Sequence, residues 1–162
     1  MVVRHLKVVF VVMIALLALF YAVQNLANLE ACFGAFAYVM GGVDHAAYPA
    51  SFFPKIESAA LIWVAVATVI GLELATGLVA AKGAWDLWRA RRAPAAVFNG
   101  AKTYALAGCG LGLVVWLGLF TVVGGAVFQM WQTEVGSGSL ADAATFFIAC
   151  GLVFVIVSMT DD

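Results

Sequence analysis

Four long apolar runs constrain the fold of this chain more than any other feature of its sequence. They cover residues 6–24, 58–81, 104–128 and 143–159, and only Lys7 and Glu73 place a charge inside them. Each run has about the 17–25 residues that a helix needs to cross a hydrocarbon core of roughly 30 Å. Because backbone polar groups in lipid must be satisfied within the segment, we predict four transmembrane helices.

The composition agrees with a membrane location. The 162 residues are 65% hydrophobic and 10% charged, whereas soluble domains are roughly 45–50% apolar and about 25% charged. A soluble domain of this size has too little interior to bury so many apolar side chains. The net charge of -1 also gives no attraction to nucleic acid. We therefore predict an all-α membrane protein of one domain (1–162), a four-helix bundle that contacts membrane lipids and no nucleic acid.

The basic residues predict which side of the membrane each connection occupies. Seven of the eight lie at the start of the chain or between the second and third runs, and Lys55 is the exception. By the positive-inside rule, we expect both termini and the middle connection to be cytoplasmic. The membrane we expect is a bacterial inner membrane. The seven residues are Arg4, Lys7, Lys82, Arg89, Arg91, Arg92 and Lys102.

The first external connection, residues 24–57, contains a further apolar stretch from Ala31 to Met40, followed by Gly41 and Gly42. This stretch is too short to span the membrane, and a fifth span would place the basic connection outside. We predict a short interfacial helix here. It lies either on the membrane surface or over the mouth of the bundle.

Glu73 is the only ionisable residue deep inside a predicted span. About 13 Å of helix separates it from Lys82 at the cytoplasmic end, and no span offers it a basic partner. Such a group is costly in lipid unless it is paired or protonated. Two interpretations stay open: a proton, cation or ligand site, or a protonated structural residue that hydrogen-bonds Thr76 or a backbone carbonyl of a neighbouring helix.

Glycines in the third span predict close helix packing. Gly108 and Gly112 form a GxxxG pair, and such small residues let two helix backbones approach each other in lipid. The spacing leaves open whether the neighbouring helix belongs to this chain or to another.

Aromatic and basic side chains flank the spans. Tryptophan favours the headgroup zone, and arginine there can bind anionic lipid or simply fix the topology. We expect lipid or interface contacts from Trp85, Trp88, Arg89, Arg91, Arg92 and Trp131.

No pattern of catalytic or metal-binding residues is visible. The three cysteines lack metal-ligand spacing, and His5 and His45 are predicted on opposite faces of the membrane. There is no Ser/His/Asp constellation and no pair of catalytic carboxylates. We therefore expect no enzymatic activity, no metal and no cofactor.

The cytoplasmic connection also carries a family resemblance. Arg91-Arg92-Ala93-Pro94 is followed by Phe98-Asn99-Gly100-Ala101-Lys102, with Gly124-Gly125 and Met130-Trp131-Gln132 further on. In these segments the chain resembles the predicted small integral membrane proteins grouped as domain of unknown function 2165. The resemblance implies a four-helix inner-membrane protein of proteobacteria with an intramembrane glutamate at Glu73, and it implies no biochemical activity.

These features predict a non-catalytic accessory subunit or assembly factor of a larger bacterial inner-membrane complex, such as a respiratory or photosynthetic one. Its partners would be other integral membrane subunits or further copies of itself. A small oligomeric transporter or channel, with Glu73 binding a proton or cation, is the first alternative. A quinone- or haem-binding membrane protein is the second.

Overall fold

The computed structural model describes all residues, 1–162, and the chain forms helices without strands. The prediction of an all-α membrane bundle is therefore confirmed. In chain order the helices are α1 (Val2–Ala27), α2 (Leu29–Met40), α3 (Ala59–Ala90), α4 (Ala95–Gly100), α5 (Thr103–Leu113), a π-helical segment (Val114–Val127), a 3-10 turn (Met130–Gln132) and α6 (Glu134–Ser158).

Four continuous helices are long and apolar enough to cross a membrane: Val2–Ala27, Ala59–Ala90, Ala95–Val127 and Glu134–Ser158. They correspond to the four predicted spans and extend past most of the predicted ends. Hydropathy marks only the part of each helix that lipid can surround, whereas the helical hydrogen bonds continue into the polar residues on either side. The basic connection is consequently mostly helical, because α3 continues to Ala90 and stops shortly before Pro94, a residue that disfavours helix just before it.

The bundle is assembled by contacts between neighbouring helices. Helix α1 packs on α3, α3 packs on α5, and α5 with the π-helical segment packs on α6, which returns to α1. Small residues permit the closest approaches: a Cβ atom on Gly77 of α3 would lie 3.1 Å from the carbonyl oxygen of Ala15 in α1. Consecutive spans are thus spatial neighbours, as expected for short connections.

The π-helical segment was not predicted from the sequence. Its hydrogen bonds join residues five positions apart. The amide of Phe128 donates to the carbonyl of Val123 at 3.0 Å, and the Thr121 hydroxyl donates to the carbonyl of Trp116 at 3.0 Å. Such helices usually occur as single turns, whereas this one spans 14 residues. The buried indole of Trp116 meets the ring of Phe146 in α6 at 5.4 Å between centroids.

Helix α2 confirms the short helix predicted in the first connection. Its Phe33 ring lies 4.8 Å from that of Trp63 in α3, and the carbonyl of Met40 accepts a 2.9 Å hydrogen bond from the amide of Ile56. Helix α2 also contacts α6. Of the two expected placements, these contacts support the one over the mouth of the bundle.

The two ends of the bundle differ in character. The basic end, defined by Arg4, Lys7, Lys102 and Asp161, brings both chain termini together with the connection between α3 and α5. The opposite end contains α2, the connection 41–58 and the turn 128–133. There, Gln132 bonds Tyr48 in both directions, at 2.7 and 3.2 Å, and holds the two connections together.

Candidate functional site

Glu73 lies in the interior of the bundle, on the face of α3 that meets α1. Its exposed fraction is 1%, and the side-chain amide of Asn25, in the last turn of α1, donates a 2.9 Å hydrogen bond to Glu73 Oε2. Glu73 takes part in none of the ion pairs of the structure. A carboxyl group whose one partner is neutral can gain or release a proton. Together with the side-chain carbonyl of Asn25, it could also offer oxygen ligands to a cation.

Thr76 does not bond Glu73, so that expected hydrogen bond was wrong. The Thr76 hydroxyl donates to the carbonyl of Leu72 in its own helix at 2.7 Å. Threonine side chains inside helices commonly form this hydrogen bond to the residue four positions earlier. The Thr76 methyl group instead faces α5: a Cβ atom on Gly112 would lie 3.5 Å from Thr76 Cγ2. Thr76 is therefore a packing residue of the α3–α5 contact.

Three aromatic rings, of which Trp116 is buried, Phe146 half-buried and Tyr21 exposed, form a row near the Glu73–Asn25 pair. Tyr21 lies one turn before Asn25 on α1, and its ring meets that of Phe146 in α6 at 4.7 Å. Trp116 of the π-helical segment extends this row, because its ring packs against that of Phe146. These edge-to-face contacts join three helices close to the buried carboxyl group.

The GxxxG pair packs inside the chain. A Cβ atom on Gly108 would lie 2.6 Å from the Ala80 amide nitrogen in α3, and one on Gly112 would lie 2.6 Å from Cys150 Sγ in α6. Both spaces are already filled, so these glycines let α5 approach two helices at once. The predicted close packing is present, and the neighbours belong to the same chain.

A buried cluster of charged side chains, which was not predicted from the sequence, lies at the basic end of the bundle. Asp161 Oδ2 accepts hydrogen bonds from Lys7 Nζ at 2.5 Å and Lys102 Nζ at 2.6 Å, and the three side chains are only 3–6% exposed. The carbonyl of Met159 accepts from both ammonium groups at 2.7 Å. We call Lys7, Lys102 and Asp161 the clasp, because they connect α1, the start of α5 and the C-terminal residues.

The family motif supports this clasp. Asn99 donates to the carbonyl of Asp161 at 2.9 Å and accepts from its amide at 3.1 Å. Phe98 is fully buried, with the Arg4 guanidinium 4.7 Å above its ring. Burial alone would raise the pKa of Asp161, but the hydrogen bonds from Lys102 and Lys7 outweigh it and hold that pKa below its ordinary value. Phe98, Asn99 and Lys102 thus have a structural role in the motif.

The residues expected at the interface differ in their surroundings. Trp85, Trp88 and Trp131 are exposed. The Arg91 guanidinium lies 3.6 Å from the centroid of the Trp88 ring and donates to the Trp88 carbonyl at 2.6 Å, so it caps the end of α3. Arg89 and Arg92 are exposed. Contact of this group with lipid headgroups stays a prediction.

Potential metal ligands are dispersed. No three His, Cys, Asp or Glu side chains are grouped so that they could hold a metal ion, and Cys109 and Cys150 are buried free thiols. His5 packs against Trp88 at 6.1 Å at the basic end, whereas His45 lies in the connection at the opposite end.

The comparisons with known proteins give one match. The family described as "predicted small integral membrane protein (DUF2165)" matches residues 3–160. No curated protein and no solved structure matches the chain. The match includes all four long helices and the motif that supports the clasp, so the chain belongs to the DUF2165 family of small integral membrane proteins.

Proposed function

We propose that this protein is a non-catalytic accessory subunit or assembly factor of a larger bacterial inner-membrane complex, for example a respiratory or photosynthetic one. Both termini would lie in the cytoplasm, because the basic end contains Arg4 and Lys7 together with most of the other basic residues. A reporter fused near Arg91 should behave as cytoplasmic and one near Gly136 as external. The reverse pattern would contradict this orientation.

An outward-facing row of small residues on α3 carries the proposal. Ala67 and Gly71 are exposed and Ala75 is half-buried, and a Cβ atom on Gly71 would meet nothing within 4 Å. Gly108 and Gly112 of α5, by contrast, already pack within the chain. Small residues spaced four apart favour association of transmembrane helices by letting backbones approach. The row on α3 therefore suits a helix of a partner subunit.

Co-purification after mild detergent extraction tests this proposal. Ala67→Ile together with Gly71→Ile should release a partner that the natural chain retains, because the branched side chains keep the two helices apart. The matched control is Leu78→Ile, since Leu78 is an exposed apolar residue of the same helix. A single homogeneous species, with no partner after crosslinking in native membranes, would contradict the proposal.

Glu73 favours a second candidate function. A nearly inaccessible carboxyl group with only Asn25 as partner is also what a proton- or cation-coupled transporter or channel would use, and a small oligomer could provide the pathway. A quinone- or haem-binding role is the third candidate. Since the two histidines lie at opposite ends of the bundle, one chain would supply one axial histidine to a haem.

A further inference from the structure

An apolar cavity of about 240 Å³ lies at the opposite end of the bundle, between α2, α3 and the π-helical segment. Twelve of its fifteen lining residues are hydrophobic. For comparison, an apolar protein cavity of about 150 Å³ is large enough to bind benzene. The lining includes Phe36, Val39, Val69, Leu119, Phe120 and Val123.

A smaller, more polar pocket adjoins this cavity. The two share Val39, Met40 and Phe128 as lining residues, and the polar pocket adds His45 and Lys55. Between these two side chains lies Gly42, whose φ of +62° suits glycine. A Cβ atom at Gly42 would lie 3.5 Å from Lys55 Nζ and 3.6 Å from His45 Nδ1. The two polar side chains therefore converge beside the apolar cavity.

Both polar groups lack partners. His45 Nε2 is the one buried side-chain nitrogen or oxygen without a hydrogen bond, and such groups in proteins normally have a partner. Lys55 is exposed and forms none of the ion pairs, although Glu57 is close in sequence. Asp44 already accepts a hydrogen bond from the Tyr38 hydroxyl at 2.6 Å.

Lys55 is the one charged side chain among the residues that line this pocket, if the His45 ring is neutral. Burial and the neighbouring Lys55 ammonium lower the pKa of His45, and together they outweigh the opposite effect of Asp44. The lowered pKa favours a neutral imidazole. The neutral ring adds no charge, so the Lys55 ammonium is the cation that a ligand would meet here. An anionic acceptor with oxygen atoms would pair with this ammonium group.

We propose that the cavity and the adjoining pocket together form a binding site for an anionic phospholipid. One acyl chain occupies the apolar cavity, and the phosphate group accepts a hydrogen bond from the Lys55 ammonium, beside the His45 ring. A bilayer supplies this ligand to the cavity, and the unpaired ammonium group favours a charged headgroup over an uncharged one. A quinone has a suitable tail but no charge that would use Lys55.

Native mass spectrometry of the full chain in mild detergent would test the site, with phosphatidylglycerol and phosphatidylcholine of the same acyl chains as probes. We expect preferential retention of phosphatidylglycerol. Lys55→Gln should reduce that retention about fivefold, the effect of one cation near a membrane surface. Ala65→Phe, which places a ring in the cavity, should reduce the retention of both lipids.

Lys82→Gln is the matched control. Lys82 is also an exposed lysine, but it is paired with Asp86 at 2.6 Å and lies in the basic half of α3, so its loss should leave retention unchanged. Equal retention of the two lipids would overturn the proposal, as would equal losses in Lys55→Gln and Lys82→Gln. Retention of ubiquinone that competes with phosphatidylglycerol and is insensitive to Lys55→Gln would assign the cavity to a quinone instead.

Discussion

The clasp and the Glu73–Asn25 pair are both buried polar sites, but they are built on different principles. In the clasp, the carboxylate of Asp161 has two ammonium partners and each ammonium has further oxygen acceptors. Glu73 has one neutral amide. A fully satisfied charged network fixes elements in place, whereas a carboxyl group with a neutral partner can change its protonation without leaving an opposite charge unpaired. The comparison indicates a structural role for the clasp and identifies Glu73 as the buried group whose protonation can change.

Removing the charge of Asp161 should produce the largest effect. Asp161→Asn would leave Lys7 and Lys102 buried beside each other without a counter-charge, and breaking a buried ion pair costs about 3–5 kcal/mol. Thermal unfolding in detergent should show this loss. Asp162→Asn, at an exposed neighbour, is the control. If both variants unfold alike, the clasp does not hold the chain ends.

The clasp should also make stability depend on pH. Because the pKa of Asp161 is lowered in the folded state, its contribution is present above its unfolded pKa and is lost as pH falls through the lower, folded value. Stability measured at decreasing pH below about 4 should therefore fall more steeply in the natural chain than in Asp161→Asn. Parallel profiles would contradict this assignment.

Overpacking the α5 glycines should have the next largest effect. Gly108→Ile with Gly112→Ile pushes side chains into occupied space against α3 and α6, and overpacking costs about 1–3 kcal/mol or more. Gly110→Ile is the control in the same helix, because a Cβ there meets nothing within 4 Å. Equal stability of the two variants would show that the GxxxG spacing is incidental.

Glu73 should respond more mildly. Glu73→Leu removes the hydrogen bond to Asn25 and should cost roughly 0.6–2 kcal/mol, the range for polar contacts between membrane helices. Glu73→Gln retains a polar side chain and should be nearly silent in unfolding measurements.

The same variant separates the two interpretations of Glu73. If the residue carries protons or cations, Glu73→Gln should abolish pH-dependent flux in reconstituted vesicles while the fold persists. A protein whose stability, flux and assembly tolerate both substitutions would leave Glu73 without an assigned role.

Arginines outside the clasp provide the smallest effect. Arg89→Gln with Arg92→Gln should change the free energy of unfolding by less than about 0.5 kcal/mol, because both side chains are exposed. The free energy of unfolding in detergent should be measured for this variant and for Asp161→Asn under the same conditions. A large loss would show that charge at the basic end matters in general, and not the clasp in particular.

Features that depend on local composition could be predicted without the structure. Long runs without charge can only be helices in lipid, so the class, the number of spans and the short helix α2 could be predicted. Glu73 could be identified because one charge inside an apolar run is costly wherever the helix packs. The glycines of α5 could be assigned to close packing for the same local reason.

The contacts between residues distant in sequence could not be predicted, because they depend on how the helices pack. Asn25 pairs with Glu73 from a different helix, and Asp161 reaches Lys7 and Lys102 across most of the chain. The Thr76 hydroxyl, one of the two partners expected for Glu73, instead donates to the carbonyl of Leu72 in its own helix. Hydropathy indicates which segments lie in lipid. The partners of a side chain inside the bundle depend on the rotation and register of each helix, and these are set by packing between segments distant in sequence.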